Sequence, residues 1–120
     1  MIQPIKNPTI FCDLDGTVFI YRKFEELTKT PAKKIKPTVD YLISAKNKGA
    51  HIVITTARPS SLRGHTINEL VENKIPFDQI VMGIERGERI LINDNDEGSD
   101  IPRAIAIPVK RNEGVPKDKF

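Results

Sequence analysis

The sequence holds one cysteine, Cys12, among 120 residues. One cysteine forms no internal disulfide, so the chain must rely on its core, and a reducing cytoplasm is the expected setting. Cys12 lies inside an apolar run and reads as a small core residue, not a nucleophile. No apolar stretch approaches the ~20 residues that span a membrane. Met1-Ile2-Gln3-Pro4 shows no signal-peptide pattern. There are two histidines, His51 and His65. Neither has a cysteine or histidine partner at ligand spacing, which disfavours zinc; His65 reads as a surface or capping residue. No Gly-x-x-x-x-Gly-Lys-Ser/Thr occurs, which excludes a P-loop. Aromatics are 6% of the chain. They are not interleaved with basic residues as a single-strand platform requires, so nucleic-acid binding is disfavoured.

What is present has a soluble, globular balance, with 38% apolar and 29% charged residues. The length suits a single domain over residues 1–120 with one sizeable core. The net charge of +3 is unevenly spread. Residues 22–36 hold six basic residues against two acidic ones. That stretch reads as a solvated loop or as a positive rim for an anionic substrate.

The apolar runs alternate in kind along the chain. Residues 9–14 are short and continuous, like a buried parallel strand. Residues 18–37 suggest a small hairpin or flap. Thr38 is a good N-cap for a helix over 38–48, and Gly49 sits where such a helix ends. Residues 51–56 form a second, β-branched strand, and 61–73 a helix with Leu62, Ile67, Leu70 and Val71 apolar. Further strands are expected at 79–82, 89–92 and 104–107. The last two flank an acidic loop at 93–100. The tail, 108–120, reads as polar and frayed. Strands separated by helices imply right-handed crossovers. The expected fold class is therefore α/β: a Rossmann-like parallel sheet of about five strands with helices on both faces.

In such sheets ligands bind at the C-terminal strand ends. Three of those ends carry chemistry: Asp13 and Asp15, Thr55 and Thr56, and Asn93-Asp94 with Asp96. Asp13 and Asp15, two apart at the end of a strand, point the same way. A turn at Gly16 would lift both out of the sheet edge. One carboxylate can attack phosphorus or hold a metal while the other moves a proton.

Phe11-Cys12-Asp13-Leu14-Asp15-Gly16-Thr17 resembles the first motif of the haloacid dehalogenase-like phosphohydrolase superfamily. The resemblance covers about residues 9–107 and implies that Asp13 is a nucleophile forming an aspartyl phosphate. It makes Asp15 the general acid/base, whose backbone carbonyl also binds Mg²⁺. Thr55-Thr56-Ala57-Arg58 is similar to the second motif. There Thr56, directly before Ala-Arg, holds the phosphoryl oxygens, and Thr55, Ala57 and Arg58 lie at the substrate. Asn93-Asp94 fits the fourth motif, with Asp94 the better metal ligand and Asp96 a second, direct or through water. Mg²⁺ keeps several waters and needs only one or two carboxylates plus substrate oxygens. The third motif should supply a lysine, yet none lies between Lys74 and Lys110. Arg86 and Arg89 are the candidates, with Arg86 favoured for its place in the loop.

A nearer likeness is to small members of the superfamily associated with capsule or surface-polysaccharide synthesis. The expected activity is Mg²⁺-dependent hydrolysis of a phosphomonoester. A sugar phosphate is the first choice of substrate, and a nucleotide or nucleic-acid phosphate end the second. The alternative is a catalytically weak domain that binds a phosphorylated ligand or a partner protein. Calcium-loop patterns fail: the glycine and glutamate positions of an EF-hand hold Val18 and Phe24, or Ser99 and Ile105. A receiver domain is disfavoured because its acidic pair precedes the acceptor aspartate. No segment is long enough to form a cap domain. The bare site then calls for a homo-oligomer whose partner overhangs Asp13, or for a bulky substrate, with the basic stretch as rim.

Overall fold

The structure, a computed structural model, describes residues 7–120. The leader reading of residues 1–4 falls outside them. Three parallel strands form the sheet, in order β1-β2-β3: β1 Thr9–Asp13, β2 His51–Thr55 and β3 Gln79–Val81. Helix α1, Lys36–Asn47, joins the first two strands, and α2, Arg63–Glu72, joins the last two. Register pairs Asp13 with Thr55 and Thr55 with Val81, so the C-terminal strand ends are level.

Two crossovers of the same hand, stepping the same way across the sheet, put both helices on one face. The buried side chains agree. Val39 and Leu42 of α1 and Leu70 of α2 join one cluster with Cys12, Ile52, Ile54 and Ile80. Cys12, Ile54 and Ile80 share a register level and therefore a face. On the opposite face Phe11 is 58% exposed and Val81 45%. The expectation of helices on both faces is thus corrected to helices on one.

The count of five strands is also corrected, to three. Residues 89–92 and 104–107 lie in no strand or ladder among the described residues. Their apolar side chains face water instead: Ile90 is 83% exposed, Ile92 91% and Ile105 72%. The strand pattern was present in the sequence, but no neighbouring strand lies within its own fold. The chain is consequently elongated, 54 × 27 × 25 Å, with a radius of gyration of 15.4 Å. A compact chain of this length has about 13.6 Å.

Local signals were used in altered form. α1 starts earlier than Thr38, with Ile35 at the cap and a proline in its first turn. Thr38 is buried, and its hydroxyl accepts the Val115 N–H at 3.2 Å. Gly49, at φ +96°, closes the helix as expected, with the Ala50 N–H on the Ala45 carbonyl. The second helix begins as a single 3₁₀ turn, Ser60–Leu62, before α2. Its buried face is Thr66, Glu69 and Leu70, and Val71 points to solvent. Asp78 ties β3 to β2 by accepting the Ile52 N–H and the Lys46 ammonium, and Lys46 above all holds its carboxyl below the usual range.

Residues 18–35, up to the start of α1, double back on themselves as a flap. Ile20 donates to the Lys33 carbonyl and Ile35 to that of Val18. The tail is not frayed. Asn112 donates its N–H to Gly16, and its side-chain oxygen accepts the Tyr21 N–H at 2.7 Å. Val115 is buried. Among the described residues no helix is long and apolar enough to cross a membrane.

Candidate active site

Beyond the level ends of β1 and β2 lies a cleft of about 240 Å³. Asp13 ends β1 at its floor, part-exposed. Its Oδ2 accepts the Thr17 hydroxyl at 3.1 Å, and Arg89 approaches Oδ1 at 3.8 Å. Thr17 reaches back because the backbone turns sharply after Leu14, whose carbonyl accepts the N–H groups of Thr17, Val18 and Phe19. Gly16 permits this turn at φ +87°. Burial pushes the Asp13 carboxyl above its ordinary value, and Asp15 adds to this. The Leu14 N–H, Thr17 and Arg89 only partly offset it.

Asp15 also lines the cleft, but Arg58 occupies both its oxygens, at 2.9 Å from Nε and 2.8 Å from a terminal nitrogen. The Arg58 guanidinium is fully buried and continues to Thr66 at 3.0 Å and Glu69 at 2.7 Å on α2. These two carboxylates hold its charge above even the ordinary guanidinium value despite the cost of burial. Glu69 in turn pairs with Arg22 of the flap. His65 bonds the Leu27 carbonyl at 2.7 Å, a second tie between α2 and the flap. Asp15, Arg58, Glu69 and Arg22 therefore form one chain of charges linking the turn after β1, β2, α2 and the flap.

Thr56 is buried in the cleft wall, its hydroxyl accepting the Arg58 N–H at 3.1 Å. Thr55 ends β2 beside Asp13. Ala57, Arg86 and Arg89 line the cleft. Both candidates for the missing lysine are therefore present, and the one ion-paired to Asp13 is Arg89. Of the six basic residues in 22–36 only Arg22 lines the cleft, beside Phe24 and Leu27; the lysines are exposed elsewhere, so the expected positive rim reduces to one arginine. Arg111 completes the wall from the tail and lies over the Tyr21 ring at 4.1 Å.

Asp94 and Asp96 are not in the cleft. They lie between those two runs, each bonded to Arg103, at 2.6 and 3.0 Å. The cleft so offers Mg²⁺ one carboxylate that Arg58 does not hold, Asp13. Among the described residues no three acidic, histidine or cysteine side chains converge. One carboxylate with phosphate and water meets the lower limit of what Mg²⁺ requires.

Sequence reasoning missed Thr17, Glu69 and Arg111. Thr17 stood inside the first motif and was passed over. A left-handed Asn112 and Gly114 in the tail hinted at an ordered turn holding Arg111. Glu69 had no signal, because a buried glutamate on a helix looks like any surface glutamate.

No protein-family profile matches the chain, and no curated protein matches it. Solved structures do. A chain of the Pnkp1/Rnl/Hen1 complex is similar with a TM-score of 0.59 and 23% identity, over 70% of this chain and 30% of that one. A chain of the Pnkp1/Rnl/Hen1 RNA repair complex gives 0.58 and 21%, over 78% and 28%. A protein from Vibrio cholerae gives 0.53 and 21%, over 72% of this chain and 79% of that one. The chain thus spans less than a third of the two RNA-repair chains. At these identities what is shared is the fold, a Rossmann-like α/β arrangement around a parallel sheet.

Proposed function

We propose that this chain is a phosphomonoester hydrolase working through an aspartyl phosphate on Asp13. The observation that carries the reading is the position of Asp13. It is an accessible carboxylate at the end of β1, with Arg89 at 3.8 Å and Arg86 and Thr56 in the same cleft. A carboxylate attacking a phosphate dianion is repelled unless cations neutralise the charge. Arg89 and Arg86 serve that purpose, and Thr56 holds a phosphoryl oxygen.

An Asp13 oxygen attacks phosphorus in line, and the bond to the leaving oxygen breaks as the acyl phosphate forms. Asp15, starting in its protonated form with one oxygen withdrawn from Arg58, gives the leaving oxygen its proton. Asp15 then takes a proton from the water that attacks the acyl phosphate, freeing inorganic phosphate and restoring Asp13. When bound, Mg²⁺ would be held by Asp13 and the Asp15 carbonyl and would neutralise phosphate charge.

A sugar phosphate remains the first choice of substrate. A nucleic-acid phosphate end is supported by the arginine-rich cleft, by exposed Phe24 at its rim and by the kinship in fold with chains of an RNA repair complex. The two-fold hold of Arg58 on Asp15 favours one other reading, a domain that binds phosphate with little turnover. A panel of phosphorylated sugars and nucleic-acid ends, assayed with and without Mg²⁺, separates these. Asp13→Asn should abolish turnover by orders of magnitude. Near-normal turnover in that variant overturns the acyl-phosphate route.

A further inference from the structure

Two features of this chain complement each other. The first is the free edge of β1. Among the described residues β1 pairs only with β2, leaving its other row of N–H and C=O groups without a strand. Phe11 stands exposed on the same strand. Such an edge attracts another chain. The second is an arm over residues 85–110. It leaves the body next to Ile84, whose N–H bonds the Thr56 carbonyl. It returns at Asn112, bonded to Gly16. Within it, one backbone–backbone hydrogen bond occurs among the described residues, Ser99 to Asp96. Backbone groups seek partners, and structureless loops beyond about 12–15 residues are uncommon in compact domains. The arm nonetheless carries two strand-type runs, Ile90-Leu91-Ile92 and Ala104-Ile105-Ala106-Ile107, with Ile90, Ile92 and Ile105 in water.

The arm cannot fill the edge of its own β1 as a parallel strand. A parallel connection takes a dozen or more residues. Only the seven residues 82–88 separate β3 from Arg89. The Arg89 side chain already reaches Asp13 at the C-terminal end of β1, which keeps its backbone near that end. From there residues 90–92 could run only antiparallel to β1, carrying Asp94 away from Asp13. A second copy has no such restriction. Its arm can enter from the far end of β1, run parallel to it, and arrive with Asp94 at Asp13.

We infer that two copies of this chain exchange arms, residues 90–92 of each extending the sheet at β1 of the other and bringing Asp94 to its Asp13. This rests on the reading of Asp13 as the reactive, metal-holding carboxylate. Reciprocal exchange is two-fold symmetric and closes as a dimer, because each arm and each β1 edge is used once. It buries the exposed isoleucines, satisfies both sets of backbone groups and adds a second carboxylate to a site that has one free. The Arg103 pair that now holds Asp94 lies on the exposed arm. Exposed pairs contribute little, so Asp94 can be given up to a metal.

The first measurement is mass in solution, by light scattering over a dilution series. Wild type should run at twice 13.5 kDa. The double variant I90K/I92K should run as a folded monomer, because both side chains are exposed in the single chain. A wild-type monomer, or a dimer indifferent to I90K/I92K, overturns the exchange. The second measurement is Mn²⁺ binding by electron paramagnetic resonance, which needs no turnover. Asp13→Asn and Asp94→Ala chains, each weak alone, are co-expressed with two tags and purified as the mixed dimer. One of its two sites then has both carboxylates, so about half the wild-type sites should return. No recovery means Asp94 is not supplied across the dimer. A wild-type protein that binds no Mn²⁺ and hydrolyses nothing defeats the reading of the site, while the mass of I90K/I92K still decides the exchange.

Discussion

Removing Arg58 should weaken the whole domain, by an amount the structure allows one to bound. Its guanidinium makes four hydrogen bonds: two to Asp15, one to Thr66 and one to Glu69. Breaking a buried ion pair by deleting one partner costs about 3–5 kcal/mol, because a charge is stranded. In Arg58→Ala the stranding is incomplete. Glu69 keeps Arg22 on both oxygens, and Asp15 can turn into the water of the cleft. The cost should therefore fall near the lower end, about 3 kcal/mol. Against a total of roughly 5–15 kcal/mol that is a large fraction. With a urea slope of about 1.5–2 kcal/mol per molar, the midpoint should drop by roughly 1.5–2 M. Arg58→Lys keeps the charge but loses the two-pronged bond to Asp15, and should fall between. Adding Asp15→Asn to Arg58→Ala removes the stranded carboxylate and should recover part of the loss. Urea unfolding followed by circular dichroism measures all three. An Arg58→Ala midpoint within about 0.3 M of wild type would refute the buried network as a source of stability.

The raised carboxyl of Asp13 has a sign that can be read twice. Its ionised form is the nucleophile, so without a bound metal the fraction of Asp13 able to attack should rise with pH through a window above the ordinary carboxylate value of about 3.9. In metal-free buffer the folded state holds this proton more tightly than the unfolded one, so stability attributable to Asp13 falls as pH rises through that window. Asp13→Asn should then unfold at higher urea than wild type at pH 7, with the gain vanishing below the ordinary value; an unchanged midpoint contradicts this. Burial, then the Asp13 charge, push the Cys12 thiol up to about 12. It should resist iodoacetamide at pH 8 in the folded protein and react only on unfolding, as mass spectrometry over time would show. Gly114→Ala should cost more than about 1 kcal/mol, since φ is +82° and the new Cβ would meet Ile35 at 2.8 Å. A neutral result would mean the tail is not packed as described.

The sequence made legible those parts of the fold that depend on neighbours in the chain. Residues 9–14 and 51–56 read as strands from their own side chains, but only the second is largely buried; the first is an edge with Phe11 in water. Asp13, Asp15 and Thr56 were legible as a group because two neighbouring parallel strands end level at one edge. Residues 89–92 carried an equally good strand pattern and form none here. A strand needs a partner, and the partner depends on how far a seven-residue link can reach. Asp94 was misplaced with it. Arg58 was read at the substrate, and its inward turn depends on Glu69 and Thr66, which no local pattern marks as buried. The one-sided packing of the sheet follows from strand order, which hydrophobic periodicity does not encode.

The docking of Arg111 and Asn112 against Tyr21 and Gly16 bears on how the molecule is made. The cleft is closed by residues almost a hundred positions apart in sequence. On the ribosome, β1 and the flap emerge early, and the sheet is complete once β3 is out. A chain halted at residue 107 would hold Asp13, Asp15 and Thr56 in place, yet lack the wall that Arg111 supplies. The scaffold and the finished cleft are then separate events in folding: the sheet forms from residues 9–81, and the wall closes only when Arg111 docks on Tyr21.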